Sequence, residues 1–445
     1  MLLKDALRKA TKSVMRTVLI GSNGINRGCG SIAVSVDELL TAAGYRCVHL
    51  SSAGSMQHIR GAGKPCIEVM GYEEKMDKAT VNEFGCFVDY VVKNARYLLS
   101  EHSDITSILE THNPTVYVSI YEGFGAFTAY YLGIPIVEFS DMLFFKLGLH
   151  SCTDTELDHL SSYNVGLSVS MAPYTKGCAV TLYPDDVAKC DVEIPENCVV
   201  TGPLLASDVK KMDPVPSISR DHVTVYVSGA TDKCEWLYSA LSKMPEHRFV
   251  VFVPHDEPTT CEEAKSNVTL RLASRGEFLL SLASSYACIT NSGLQTAAEA
   301  IHLQVPNFML PTANHHAQCA VSESVQRAGG GLTCLRDTQS SQKQCLDFEA
   351  KMRAFLDRCK AHPTWSTPAP PDGGEALLAA VRSCERMDPQ PPRAMTVRYA
   401  LSVGAVVVVM LVLSLVLSLL IYATVMLLQR GKNDAIPKTA TTSRR

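Results

Sequence analysis

"ITNSGLQTAAEAIHLQVPNFMLP", Ile289 to Pro311, decides the fold class. An apolar run ends at Asn291-Ser292-Gly293, and the pattern then changes period. Leu294, Ala297, Ala298 and Ile301 recur at helical spacing and form one buried face. Short apolar runs follow, punctuated by Pro306 and Pro311. The stretch therefore reads as a strand, a tight turn, a helix and a second strand. That is the repeating unit of a parallel sheet with helices on both faces.

The same rhythm extends outward in both directions. "RTVLIGSNG" is a strand ending in a Gly-rich turn, "SIAVSVDELLTAAGY" an amphipathic helix that Gly44 ends, and "RCVHLSS" the next strand. "PTVYVSIYEGF" and "IPIVEFS" are strands on either side of the helix-like "GAFTAYYLG". After "CVVTGPLLA" the alternation restarts with "HVTVYVSGA", "CEWLYSALSKM", "HRFVVFVP", "VTLRLA" and "GEFLLSLASSY", and it runs into the opening stretch. Two α/β domains joined near residues 203–220 follow from this, as a chain of 445 residues leads one to expect.

Composition narrows the function classes. The net charge is −4 and the globular part has no basic cluster, so nucleic acid is not an expected partner. Sixteen cysteines are scattered singly, without paired or Cys/His ligand spacing, so no metal site is expected and reduced thiols are. Between Arg398 and Arg430 there is no charge, and "LSVGAVVVVMLVLSLVLSLLIYATVMLL" is long enough to cross a bilayer. Arg430, Lys432, Lys438, Arg444 and Arg445 after this span favour a cytosolic tail. Yet the N-terminus lacks the unbroken apolar core of a signal peptide. A tail anchor, with the globular part facing the cytosol at the endoplasmic reticulum or another organelle membrane, fits the missing signal and the cysteines better.

The polar residues of the opening stretch carry the chemistry. A helix that begins at Ser292 offers unpaired N–H groups and the positive end of its dipole, and Gly293 lets a phosphate approach them. Glu299, six residues on, lies roughly 9 Å along the axis. There a carboxylate can accept bonds from both hydroxyls of a ribose. Equally, Ser292 can be a helix cap and Glu299 a solvated surface charge.

These residues, with "NHHAQCAVSESVQRAGGG", "VTGPLL" and "VTVYVSGATD", resemble the donor-binding half of GT-B nucleotide-sugar glycosyltransferases. The group includes the transferase of lipid-linked peptidoglycan precursor N-acetylglucosamine, with its family 28 type C-terminal domain, and the UDP-glycosyltransferases. The resemblance covers Val199 to Leu332 well and the first half in outline. It implies two Rossmann-like domains, to which the apolar run adds a C-terminal transmembrane helix. The boundaries are an acceptor domain at 1–204, a donor domain at 205–362, a Pro-rich spacer with a short helix at 363–398, the transmembrane helix at 399–429 and a basic tail at 430–445. It also implies that Gly293, Ser292 and Thr296, assisted by Ser228 and Gly229, hold a diphosphate. Glu299 would then bind the ribose, and Ser274-Arg275 would meet the base through the backbone.

Three departures qualify that picture. His315-His316 stands where the group usually has an acidic residue or Gln followed by Gln to hold the sugar. Gln304 replaces a common glycine, expected as a tolerated surface change, and Cys319 a common asparagine. The histidine often found in the N-terminal Gly-rich loop is absent, its place falling near Cys29 in "NGINRGCG". Glu122 in "SIYEGFGA" is the expected catalytic base, or else a cap on the following helix, and Asp141 is a second candidate. The expected activity is an inverting, metal-independent transfer of a hexose-type sugar from a UDP-sugar substrate, with no cofactor, to an acceptor that can be lipid-linked. A non-catalytic membrane scaffold and a UDP-sugar epimerase are the alternatives.

Overall fold

The computed structural model describes residues 16–391 apart from 25–26, 74, 78–79, 150–169, 191, 213–219, 228–231, 254–265, 313–314, 335–340, 363–366 and 388–390. The expected transmembrane helix at 399–429 and the basic tail lie outside the described residues. Among the described residues no helix is long and apolar enough to cross a membrane.

The first domain is built on a seven-stranded sheet in the order β3-β2-β1-β6-β7-β8-β9. Its strands are β1 (Thr17–Ser22), β2 (Arg46–Ser51), β3 (Cys66–Glu68), β6 (Val116–Ile120), β7 (Ile136–Ser140), β8 (Lys176–Val180) and β9 (Cys198–Thr201). All neighbours in it run parallel. The short strands β4 (Met76–Asp77) and β5 (Thr80–Val81) pair separately and antiparallel. Helices α1 (Arg27–Ala42), α2 (Ala53–Gly61), α3 (Glu83–Arg96), α4 (His102–His112), α5 (Phe124–Tyr131), α6 (Asp141–Lys146) and α7 (Pro184–Val187) connect the strands. α1 ends where expected, two residues before Gly44, which takes φ +90.

A linker with the short helix α8 (Ser207–Lys210) leads into a six-stranded parallel sheet in the order β12-β11-β10-β13-β14-β15. Its strands are β10 (His222–Tyr226), β11 (Phe249–Val253), β12 (Val268–Leu272), β13 (Ser285–Thr290), β14 (Asn307–Met309) and β15 (Gly331–Thr333). The helices are α9 (Asp232–Ser242), α10 (Arg275–Ala283), α11 (Leu294–His302), α12 (His316–Arg327) and α13 (Ser341–Ala361). Every residue of β1, β6, β7, β11 and β13 is buried, as in strands covered on both faces. Each sheet reverses its winding once, between β1 and β6 and between β10 and β13. Crevices at such reversals are where open parallel sheets bind ligands.

Of the segment expected as a spacer, the described residues 367–387 pack on the first domain. Helix α14 (Gly374–Glu385) buries Leu377, Val381 and Cys384 in the core that holds Val18, Ile20, Leu40 and Phe139. Its Glu385 accepts hydrogen bonds from Arg16 at 2.6 Å and from the Tyr45 hydroxyl at 2.9 Å. The Pro-rich run before it lies against the linker. Gly373 N–H donates to Pro203 O at 3.0 Å, and a Cβ at Gly202 would come within 1.6 Å of Pro371 O. The prolines keep this run extended, while the apolar stripe of α14 needs a surface to cover it. Gln304 belongs to the same joint. It sits at φ +55, the left-handed conformation that explains the usual glycine, and its amide donates to Thr367 O at 3.4 Å. It is a pin, where the sequence suggested a tolerated surface change.

Candidate active site between the two sheets

The turn after β13 is tighter than the sequence suggests. Ser292 takes φ +63, a left-handed geometry costing a serine roughly 1–2 kcal/mol. This kink starts α11 at Leu294 with Gly293 in the cap position, not at Ser292. Ser292 is therefore no cap: it is fully buried, and its hydroxyl has no hydrogen-bond partner. No side chain caps α11, and a Cβ built on Gly293 would meet nothing within 4 Å. Its first turn presents a dipole end to open space beside the half-buried Thr296. Ser228 and Gly229, the other expected phosphate ligands, lie outside the described residues.

Glu299 is not a surface charge. It is 1% exposed, and its Oε1 accepts from Arg275 Nη1 at 2.8 Å and from Gln295 Nε2 at 3.2 Å. Burial pushes its carboxyl pKa up, and the Arg275 guanidinium opposes the shift. Gln295 also donates to Leu204 O of the linker at 3.2 Å. Arg275, the first residue of α10, reaches on to Asp208 of α8, with longer contacts of 3.3 and 3.4 Å. The Arg275 guanidinium and the Gln295 amide both sit on Oε1, so the carboxylate expected to meet a ribose is already paired at that oxygen. Stripping a buried ion of its partner costs about 3–5 kcal/mol. Releasing an exposed bridge such as Arg275–Asp208 costs about 0–1 kcal/mol.

On the facing side, Glu122, expected as the base, ties down first-turn N–H groups of α5 from the residue before the cap position, Gly123. Its carboxylate accepts from Gly125 N–H at 3.0 Å, from Ala126 N–H at 3.1 Å and from the Tyr117 hydroxyl, and it is 4% exposed. Burial raises its pKa against those bonds. The side chain left facing the cleft is Asp141. Ser140 caps α6 through Leu143 N–H at 3.3 Å, which sets Asp141 in the first turn. Burial raises the Asp141 pKa, while His315 across the cleft and nearby backbone N–H groups favour its charged form. Cys29, where a histidine was looked for, lies in the same field. Burial, Asp141 and Glu138 push its thiol up to about 12, which excludes a resting thiolate.

His315 is the cap of α12, its Nδ1 accepting from Gln318 N–H at 3.4 Å, and His316 is the first residue of that helix. Sequence reasoning did not single out Glu138. It is buried, accepts from Tyr121 N–H at 3.1 Å and Ser140 Oγ at 2.6 Å, and burial raises it to about 7. The sequence signal was present, since "EFSD" ends a strand and opens a helix as "TNSG" does. Between the domains a small, partly open recess is lined by Asp141, Phe144, Phe145 and Leu182 on one side and Leu294, Ala317, Ala320 and Ser324 on the other. Among the described residues that line it, Asp141 is the one ionisable group. Among the described residues no three His, Cys, Asp or Glu side chains form a metal-binding group.

The family model for glycosyl transferase family 1 matches residues 18–352, spanning both sheets and the cleft. The chain belongs to glycosyl transferase family 1. This family 1 glycosyltransferase shares its fold with solved GT-B enzymes. The spinosyn rhamnosyltransferase SpnG superposes with a TM-score of 0.56 at 14% identity, over 83% of this chain and 100% of its own. The spinosyn forosaminyltransferase SpnP gives 0.51 at 16% identity, over 88% and 100%. A SpnG structure complexed with thymidine diphosphate gives 0.50 at 15% identity, over 83% and 95%. No curated protein matches the sequence. The two Rossmann-like domains expected from the resemblance are thus the fold observed.

Proposed function

We propose that this glycosyltransferase moves a hexose-type sugar from a uridine diphosphate sugar to an acceptor hydroxyl by direct displacement. The observation that carries the reading is the uncapped, open N-terminus of α11 in the same cleft as Asp141 and His315. The diphosphate lies against the first N–H groups of α11 and Thr296. His315 and His316 meet the sugar. Asp141 takes the acceptor's proton as its oxygen forms the bond to the anomeric carbon. The bond from that carbon to the diphosphate breaks, and the pair of electrons leaves with the phosphate oxygen. Charge growing there is met by preorganised backbone donors, the kind of help that is often the largest catalytic term. The thymidine diphosphate held by a SpnG structure supports a pyrimidine nucleotide.

The apolar stretch 401–428 supports a membrane anchor, and the scattered free thiols support a globular part that faces the cytosol. The membrane anchor in turn supports an acceptor that lies at a membrane, including a lipid-linked one. The test is release of UDP, with product analysis by mass spectrometry, from the full chain given UDP-sugars and polyprenyl acceptors. Asp141→Asn should abolish product while keeping UDP binding. Wild-type turnover by that variant would sink the assignment.

A further inference from the structure

We infer that Glu138 is a positioning residue for the transfer: its carboxylate clasps the end of β6 to the end of β7, sets Asp141 at the cleft, and slackens its hold when it takes up a proton. The inference rests on the reading that Asp141 is the base, and it names what regulates that base. Three observations carry it. The pairing of β6 with β7 stops at Ser119 opposite Glu138, so no backbone bond between these two strands holds the residues that follow. Glu138 Oε1 takes over there, accepting from Tyr121 N–H at 3.1 Å and from Ser140 Oγ at 2.6 Å. Ser140 has one hydroxyl proton. With that proton on Glu138, a lone pair is left for Leu143 N–H at 3.3 Å, and α6 starts with Asp141 as its first residue.

The third observation is Tyr121 itself. It takes φ +51, a left-handed conformation that a tyrosine keeps only where its surroundings impose it. It belongs to the apolar cluster of Phe144, Phe145, Ala317 and Ala320, which line the recess beside Asp141. One oxygen atom thus fixes both the base and a wall of its recess. A carboxylate only accepts, and its bonds are about twice as strong as those of a neutral acid, so protonation weakens both at once. Burial raises Glu138 to about 7, while the Ser119 and Ser140 hydroxyls, Tyr121 N–H and Lys146 of α6 favour its charge. The other ionisable groups in its field are Cys29 of α1, Tyr117 and Tyr121 of β6 and its end, and Tyr174 and Cys178 at β8. Burial pushes all five well above that range, so they stay neutral through it. Transfer should therefore slow as pH falls through about 7.

A kcat–pH profile tests this, read as UDP release by the full chain from UDP-glucose and UDP-N-acetylglucosamine with polyprenyl acceptors. Wild type should show a limb near 7. Glu138→Gln should remove that limb, lower kcat about tenfold above it and leave the KM for the UDP-sugar unchanged. Ser140→Ala should lose a similar factor, Ser140→Thr should restore most of it, and Ser140→Ala added to Glu138→Gln should cost nothing further, as for two parts of one clasp. Circular dichroism checks each fold. If Glu138→Gln does not fold, the wild-type profile and the Ser140 pair decide: no limb near 7, or Ser140→Thr as slow as Ser140→Ala, would overturn the inference. A limb that survives Glu138→Gln, or a wild-type kcat in that variant, would overturn it while leaving Asp141 as the base. Wild-type turnover by Asp141→Asn, or no UDP release by folded wild type, would overturn both.

Discussion

Asp141 owes its position to its neighbour: Ser140 bonds Leu143 N–H and so begins a helix at a strand end. As a half-buried carboxyl whose pKa is raised by burial, it must lose its proton to act. The rate should therefore fall with decreasing pH along a limb set by a pKa above the ordinary aspartate value of 3.8. A kcat–pH profile checks this, and a limb at the ordinary value would move the base elsewhere. Glu122 predicts the opposite kind of defect. In Glu122→Gln the amide NH2 must face one of the N–H or O–H donors that the carboxylate now satisfies. A loss of about 1–3 kcal/mol in stability follows, with UDP affinity kept. Chemical denaturation measures it; unchanged stability would contradict the capping role. Gly293, Thr296 and Glu299 were visible in the sequence because a local period set them apart. The partner of Glu299 was not, because α10 meets α11 only once the sheet has formed.

Elements were more legible than their attachments. The strands that alternate with helices are marked by apolar runs, and their parallel pairing follows from the length of the connections. Where α14 would go was not legible, since an apolar stripe says that a helix is covered but not by what. Gly202→Ala tests that attachment. Its Cβ would collide with Pro371 O, so a loss of about 1–3 kcal/mol is expected, read as a lower Tm. The joint between α1 and β2 makes a pH prediction. Burial alone would raise Asp37, but hydrogen bonds from His49 Nε2, at 2.9 Å, and from Lys64 outweigh it and hold the carboxyl below 3.8. A depressed folded-state pKa adds stability above the ordinary value and loses it as pH falls through the folded one. Asp37→Asn should therefore destabilise the protein at neutral pH, and the gap to wild type should close below pH 3.8. A gap that persists at low pH would show that packing, not charge, is at stake.

At the scale of the molecule, Asp141, His315 and the start of α11 follow the C-terminal ends of β7, β14 and β13, so the two parallel sheets deliver them from the same kind of strand end. A nucleotide that binds the folded chain alone must raise its Tm, by the equivalent of about 2.7 kcal/mol at a hundredfold excess over Kd. The close passage of residues 202–203 beside 371–373 has a consequence of another kind. The chain leaves the first domain and re-enters it at nearly the same place, with Gly373 N–H on Pro203 O at 3.0 Å. The donor domain is thus a guest spliced into a host, not a bead strung after it. Excising it and joining the two ends with a short turn should leave the host sheet closed by its own last helix, and an unrelated guest domain could be grafted into the same seam.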